Sequence, residues 1–479
     1  MKILNKKLIF EGVYLTLSFF ASIINKERVK CMKKVMITIA KVIAGILGSL
    51  IGFLALCCLV TLLWGGVQTA RGTVTQELPV VAADFVPTVR IVAFTDTHNE
   101  NENVADAVDT AYAMFDKDST YAGVDAFFGL GDFTSVGGED DFRNYAAVLN
   151  EHVREETVCI NVLGNHEMKA DNAEELFVKY FGHDTNTVTD VKGFTCIGFS
   201  GERSLTEWTF TPSSLTWLSR EIHAAEETAG DKPILVFQHP HPFGTVYGSS
   251  LWCTPQLNPV FAGHSKVINF SGHSHFPMND PRSINQTTYT SVGVGAMARF
   301  ELDKNYIVGQ HPERYEDAAQ FCVIEADDSG RVRIRGYDLL SDSYFCDYFI
   351  ENVNDRDTFA YTYKNMKAHD GEPVFAEDAV AQAARDENGN YRITFTEATA
   401  PEGFIVHEYI VKIKDADGKT VYKDTFLADY YIVNDDPFAG FTVDGDILQS
   451  GAEYTLSVTA ESAYHYTTGP ISLPLVIPE

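Results

Sequence analysis

From Val89 onward the chain alternates between short apolar runs and longer stretches with apolar residues at helical spacing. The runs are Arg90–Thr95, Ala126–Gly129, Val158–Leu163, Thr195–Phe199, Ile234–Phe237 and Val267–Phe270. Each is rich in β-branched or aromatic residues, which predicts strands buried on both faces. Between them, Val104–Phe115, Asp140–Glu151, Glu174–Tyr180 and Ser213–Glu227 read as helices, the last opened by the start signal Thr211-Pro212-Ser213. Strands alternating with helices predict an α/β layered domain.

Beyond Tyr289 the rhythm changes. Thr290–Ala296 and Phe321–Glu325 predict further strands, and Arg331–Tyr337 alternates, whereas residues 351–380 are polar and ambiguous. From Tyr391 the pattern is all-β, with Tyr391–Phe395, Glu408–Ile413, Thr420–Thr425 and Tyr454–Thr459 as strands and Asp417-Gly418 as a hairpin turn. About 95 residues of short strands predict an immunoglobulin-like sandwich. The run Ala452–Ala460 (AEYTLSVTA) resembles the penultimate-strand region of fibronectin type III domains.

The N-terminal pattern is different again. Val42–Trp64 holds no charge, and a helix of that length reaches roughly 34 Å, enough for a bilayer core of about 30 Å. Lys26, Arg28, Lys30, Lys33, Lys34 and Lys41 precede it and only Arg71 follows closely, so the charge rule places the N-terminus in the cytoplasm and the body outside. A cleaved signal peptide is the rival reading, although no clear small-residue cleavage site follows. Leu8–Ile24 is a weaker apolar run interrupted by Glu11, and Met32-Lys33-Lys34 reads as a start, so residues 1–31 are read as an over-extended gene start.

Charge narrows the function classes. The net charge is −29, and beyond Ala70 it is −36, from 28 basic and 64 acidic residues. Such a body repels phosphate backbones, so no nucleic-acid-binding surface is expected. A small phosphoester remains open, because bound metal ions reverse the local sign. Of eight cysteines, five (Cys159, Cys196, Cys253, Cys322 and Cys346) lie in the body without a CxxC pair, which predicts free thiols rather than a disulfide framework.

The candidate chemistry sits where strands end. The first run leads into Asp96-Thr97-His98, the second into Gly131-Asp132, the third into Gly164-Asn165-His166-Glu167, the fifth into His239 and the sixth into Gly272-His273-Ser274-His275. The C-terminal ends of strands are where α/β folds gather their sites. Each piece alone has a plainer reading: a solvated turn, a helix cap at Asn165, or a core histidine at His239. Five in this order, each after an apolar strand, point to a metal site. Imidazole with carboxylate suits Fe, Mn or Zn better than Ca.

The series DxH, GD, GNHE, H, GHxH resembles the calcineurin-like metallophosphoesterase family over about residues 88–345. The resemblance implies a β-sandwich flanked by helices and a two-metal site at the strand ends. Asp96, His98 and His275 would hold one ion, Asn165, His239 and His273 the other, and Asp132 would bridge them. His166 would protonate the leaving oxygen or stabilise the transition state. Two divalent ions, Mn, Fe or Zn, would clamp the phosphoryl group and make a bridging hydroxide available near neutral pH. Glu167 is expected to orient a histidine, or to be a favourable acid in a helix first turn. Ser135 stands where purple acid phosphatases carry a metal-bound tyrosine, and Phe133–Val136 replaces the Asp-Arg pair of the protein phosphatases, so both subgroups are disfavoured. His241 is the substitute for His239. Gly263-His264-Ser265-Lys266 is read as a decoy of GHxH, and Asn99, Arg282 and Arg299 are read as either substrate contacts or surface residues.

The expected order is therefore a cytoplasmic segment 1–34, a transmembrane signal anchor 35–66, a linker 67–87, a metallophosphoesterase domain 88–345, a connector 346–384 and a fibronectin-like sandwich 385–479. The expected protein is a single-pass, extracytoplasmic phosphoesterase acting on a phosphodiester or phosphomonoester, with an envelope or surface partner available to the sandwich. The alternatives are a surface binding protein with a structural or vestigial metal site, and an enzyme on an intracellular substrate.

Overall fold

The computed structural model describes residues 76–203, 208–433 and 436–479. The expected span at Val42–Trp64, its basic flank and the Leu8–Ile24 run lie outside these residues. Among the described residues no helix is long and apolar enough to cross a membrane. The chain from Val74 to Glu479 forms one compact unit of mixed α/β structure.

Two six-stranded sheets carry most of it. Across the first run Ser343–Ile350, Val332–Asp338, Gln320–Ala326, Val89–Phe94, Ala126–Gly129 and Val158–Asn161. The last three are parallel and the first three join them antiparallel. Across the second run Ile284–Gln286, Thr290–Gly293, Val267–Ser271, Ile234–Gln238, Phe194–Phe199 and Thr187–Val191, with the middle four parallel. One apolar core includes Ile91, Phe128, Phe237, Phe270, Ile324 and Ile334, drawn from both sheets. This face-to-face packing explains why the runs are apolar throughout. One side of each strand meets the other sheet and the opposite side meets helices.

The helices cover the outer faces. Asn101–Phe115, Glu139–His152 and Ala173–Phe181 pack on the first sheet through Val104, Val108, Phe142, Leu149 and Phe177. Pro212–Thr228 packs on the second through Leu218 and Ile222. Its start is the one the sequence spells: Pro212 stands in the first turn and the Thr211 side chain accepts from Ser214 N at 3.3 Å.

The third body of strands is a two-sheet sandwich. Ala381–Arg385, Tyr391–Thr396 and Phe438–Val443 form one sheet. Thr420–Leu427, Val406–Lys414, Glu453–Ser462 and Ile471–Val476 form the other. Tyr391, Ile393, Phe395, Val411, Ile413, Leu456 and Val458 fill its core. Two expectations shift. Ser343–Ile350 is an edge strand of the first sheet and runs across the boundary expected at 345. The ambiguous 351–380 stretch holds the helix Tyr363–His369, capped by Thr362, and buries Phe359, Tyr361 and Met366.

Candidate metal centre

The five motif segments meet at the C-terminal ends of Val89–Phe94, Ala126–Gly129, Val158–Asn161, Ile234–Gln238 and Val267–Ser271. Each strand is followed by a sharp turn. Asp96, His98, Asp132, His273 and His275 all take left-handed backbone conformations, with φ of 54°, 47°, 51°, 73° and 58°. A non-glycine residue there is uncommon and costs roughly 1–3 kcal/mol, a cost that persists where the surroundings over-determine the turn. The motif glycines serve close approach. A Cβ on Gly164 would strike the Asp132 carboxylate, and one on Gly272 would strike the side chains of Thr95 and Asp96.

Two groups of donor atoms result. Asp96, His98 and His275 converge in one, and Asp132, His239 and His273 in the other. His98 Nε2 and His275 Nε2 lie 3.1 Å apart, and Asp96 Oδ1 is 3.2 Å from the latter. In the second group His239 Nε2 lies 3.2 Å from Asp132 Oδ2, 3.1 Å from His273 Nδ1 and 3.2 Å from Asn165 Oδ1. Asp132 also groups with His98 and His166, so its carboxylate faces both sides. Asp96, His98, Asp132, Asn165, His239, His273 and His275 are thus brought together, with His166 beside them.

The remaining contacts aim these atoms inward. His239 Nδ1 donates to Leu130 O at 2.7 Å and His275 Nδ1 to Arg299 O at 2.9 Å, so in both rings Nε2 is turned to the centre. Asp96 Oδ2 accepts from Thr95 Oγ1 and His273 N, and Oδ1 faces His275 Nε2 at 3.2 Å. His98 Nδ1 has no hydrogen-bond partner among the described residues. Buried polar atoms are rarely left so. Imidazole nitrogens and carboxylate oxygens converging in this way are a donor set that fits divalent cations.

Electrostatics agree. Burial pushes the Asp96 and Asp132 carboxyls up, but His275 beside the first and His239 beside the second outweigh it, and both are held below the usual range. Burial pushes His239 down, but the Asp132 carboxylate outweighs it and lifts the ring to about 9. His275 is raised in the same way by Asp96. Burial pushes His98 and His273 down to about 3. In each group the carboxylate favours the protonated form of one neighbouring ring, and a divalent cation would supply that positive charge instead.

Glu167 stands in the first turn of the short helix Glu167–Lys169, the second of its two expected roles. Its carboxylate accepts from Asp132 N, Thr134 N, Thr134 Oγ1 and Gly164 N, all at 2.8–2.9 Å. Burial and the neighbouring Asp132 charge push it up to about 7, yet four donors converge on it, as suits a carboxylate. It ties the turn carrying Asp132 to the turn carrying Asn165.

His166 is half-buried, with Nε2 3.9 Å from Asp132 Oδ2. Its Nδ1 lies 2.8 Å from both Ser135 O and Lys169 Nζ, and its N donates to Asp132 Oδ1 at 2.8 Å. Ser135 thus reaches the site through its carbonyl and through Oγ, which donates to His98 O. Burial lowers the ring's pKa, opposed by the Asp132 charge.

The other candidates fall elsewhere. His241 is buried with both ring nitrogens on Ser271 and Ser274 hydroxyls, and so is spoken for. His264 pairs with Glu226 at 2.9 Å near the Pro212–Thr228 helix. Asn99 is exposed beside His98. Arg299 shares the rim with Glu301, 3.9 Å away. Arg282 is half-buried and ion-paired, with Asp280 at 2.7 Å and Asp303 at 3.8 Å. Sequence reasoning did not reach Leu130 O and Arg299 O, because backbone carbonyls leave no residue-type signal. It also did not reach Trp252, whose ring packs edge-on against His273 with centroids 5.7 Å apart.

No protein-family model matches the chain. No curated protein sequence matches it either. Among solved structures, a purple acid phosphatase from yellow lupin seeds is similar at 12% identity and a TM-score of 0.36, over 58% of this chain. The chain spans 55% of that phosphatase's length. A protein from Thermus thermophilus is similar at 12% identity and a TM-score of 0.32, over 56% of this chain and 100% of its own. A structure described as a 5′-nucleotidase from Staphylococcus aureus is similar at 8% identity and a TM-score of 0.30, over 81% of this chain and 89% of its own.

Proposed function

We propose that the protein is a dinuclear-metal phosphoesterase, anchored by Val42–Trp64 with its body outside the cytoplasm. The observation that carries the catalytic reading is the position of Asp132, whose one carboxylate belongs to donor groups on both sides of it. Asp96, His98 and His275 would hold one ion, and Asn165, His239 and His273 the other. Two ions so held would neutralise charge on a phosphoryl group and make water acidic enough to be used near neutral pH. The anchor and topology rest on the charge-free run and its basic flank.

The chain's own residues supply the rest. The imidazole hydrogen bonds to Leu130 O and Arg299 O set tautomer and ring direction before any ligand arrives. Glu167 holds two ligand turns at a fixed separation. His166 Nδ1 donates to Ser135 O, which turns Nε2 to the centre, where in the protonated ring it carries a hydrogen placed to meet a leaving oxygen. Burial of Asp96, Asp132 and His239 keeps the local dielectric low, which strengthens every charge interaction there.

The test is hydrolysis of bis(p-nitrophenyl) phosphate and p-nitrophenyl phosphate by residues 75–479 with Mn, Fe, Zn or no added metal, beside Asp132→Asn. Metal-dependent turnover lost in the variant is expected, and the preferred ester separates diesterase from monoesterase. A folded protein that binds no metal would sink the reading.

A further inference from the structure

A second cluster of buried charge lies where the sandwich meets the α/β layers. Asp280 takes the Arg282 guanidinium at 2.8 and 2.7 Å, and Asp303 lies 3.8 Å from it. The guanidinium stacks on Tyr247, 3.7 Å from the ring centroid, and Tyr247 OH donates to the Asp303 carboxylate. The sandwich supplies the other half. His407, on the Val406–Lys414 strand, presents Nδ1 to Arg282 at 3.3 Å and donates from Nε2 to Asp303 O at 3.0 Å. Tyr430 OH donates to Asp280 at 3.3 Å, and Tyr430 O accepts from Asn279 Nδ2 at 2.5 Å. Asp280 and His407 are fully or almost fully buried.

The cluster sits on three segments tied to the metal ligands. Residues 245–252 follow His239 and His241, and they carry Tyr247 and Trp252, the latter against His273. Residues 276–283 continue directly from His275. Phe276 packs on Tyr247 with centroids 4.1 Å apart, and Tyr247 N donates to Arg282 O. Residues 299–303 begin with the carbonyl that orients His275 and end with Asp303. Packed cores transmit such constraints because they compress little.

We propose that the sandwich is a working part of the metal centre: His407 and Tyr430 close the Asp280–Arg282–Asp303 cluster, which fixes the segments that hold His273 and His275 in place. His407 and Tyr430 are positioning residues, acting through others and touching no ligand atom. The inference rests on the proposed metal centre.

The test uses the full chain with Mn2+ as the probe, reading Mn2+ affinity by calorimetry and hydrolysis of p-nitrophenyl phosphate. The variants are His407→Ala, His407→Gln, Tyr430→Phe and Val458→Ala, the last trimming the sandwich core away from the cluster. His407→Ala should weaken Mn2+ binding about tenfold and lower kcat about tenfold with KM within about twofold, because aligned ligands, not substrate contacts, are lost. Gln, which keeps a donor and an acceptor, should recover most of both, and Tyr430→Phe should fall between. Val458→Ala should lose stability while leaving affinity and kcat within about twofold. A His407→Ala protein that binds Mn2+ and turns over like Val458→Ala overturns the inference while the metal centre stands. Wild-type protein that binds no Mn2+ removes the metal centre, and the inference with it.

Discussion

Two buried charge clusters sit within one unit and differ in what completes them. At the Asp280–Arg282–Asp303–His407 cluster the protein supplies every partner: each carboxylate meets a guanidinium, an imidazole or a phenol. At the strand ends, rings and carboxylates crowd together, His98 Nδ1 has no hydrogen-bond partner among the described residues, and the turns are strained. A cluster that closes on itself holds a structure together. A cluster that converges on a point and stays open is built for something added later.

The largest effect tests the closed cluster. Arg282→Met leaves Asp280 and Asp303 buried with a cation removed, and should cost about 3–5 kcal/mol of stability in urea unfolding. A loss below about 1 kcal/mol would mean the cluster is not closed in the sense drawn here. Next, His166→Ala should lower kcat about 100-fold or more while metal content, read by elemental analysis, is unchanged. Loss of a metal ion in that variant would instead make His166 a ligand. The open cluster should then respond to chelation. At a free metal concentration of 100 times Kd, binding adds about 2.7 kcal/mol, so a chelator should lower Tm in the wild type but not in Asp132→Asn. Equal shifts in both proteins would erase the contrast.

The smallest effect concerns a carboxyl that belongs to neither cluster. Burial, with Asp429 beside it, pushes Glu397 in the sandwich up to about 8. The folded state therefore holds a proton there that the unfolded chain, titrating near 4.5, gives up. Stability at this position is full below about pH 4.5 and falls as pH rises towards 8. Glu397→Gln should raise Tm by under about 2 °C at pH 8, with the gain shrinking by pH 5. A gain that grows on acidification would reverse the sign.

The open cluster was legible in the sequence and the closed one was not. Asp96, His98, Asp132, Asn165, His239, His273 and His275 announce themselves because each follows a strand, and strand ends are fixed by local pattern. Helix limits came within a few residues for the same reason: Asp140–Glu151 is Glu139–His152 in the fold. Arg282, His407 and Tyr430 carry no such mark, since 125 positions separate Arg282 from His407 and only docking brings them together. Ser343–Ile350 escaped because an edge strand with one partly exposed face lacks a continuous apolar run. Glu167 was placed near the site and in a helix first turn, where it stands, but its hold on the backbone amides of Asp132 and Gly164 was not legible, because those neighbours meet it only in space.

The left-handed turns also constrain the site's evolutionary future. Asp, Asn and His are the side-chain-bearing residues that such backbone tolerates best, whereas β-branched and bulky ones are outliers. Asp96, His98, Asp132, His273 and His275 are thus drawn from the short alphabet that both the chain path and hard-to-borderline metals accept. Drift towards a different ligand chemistry would require rebuilding several turns at once. A lineage carrying this fold can vary its rim and its loops far more freely than the composition of its centre.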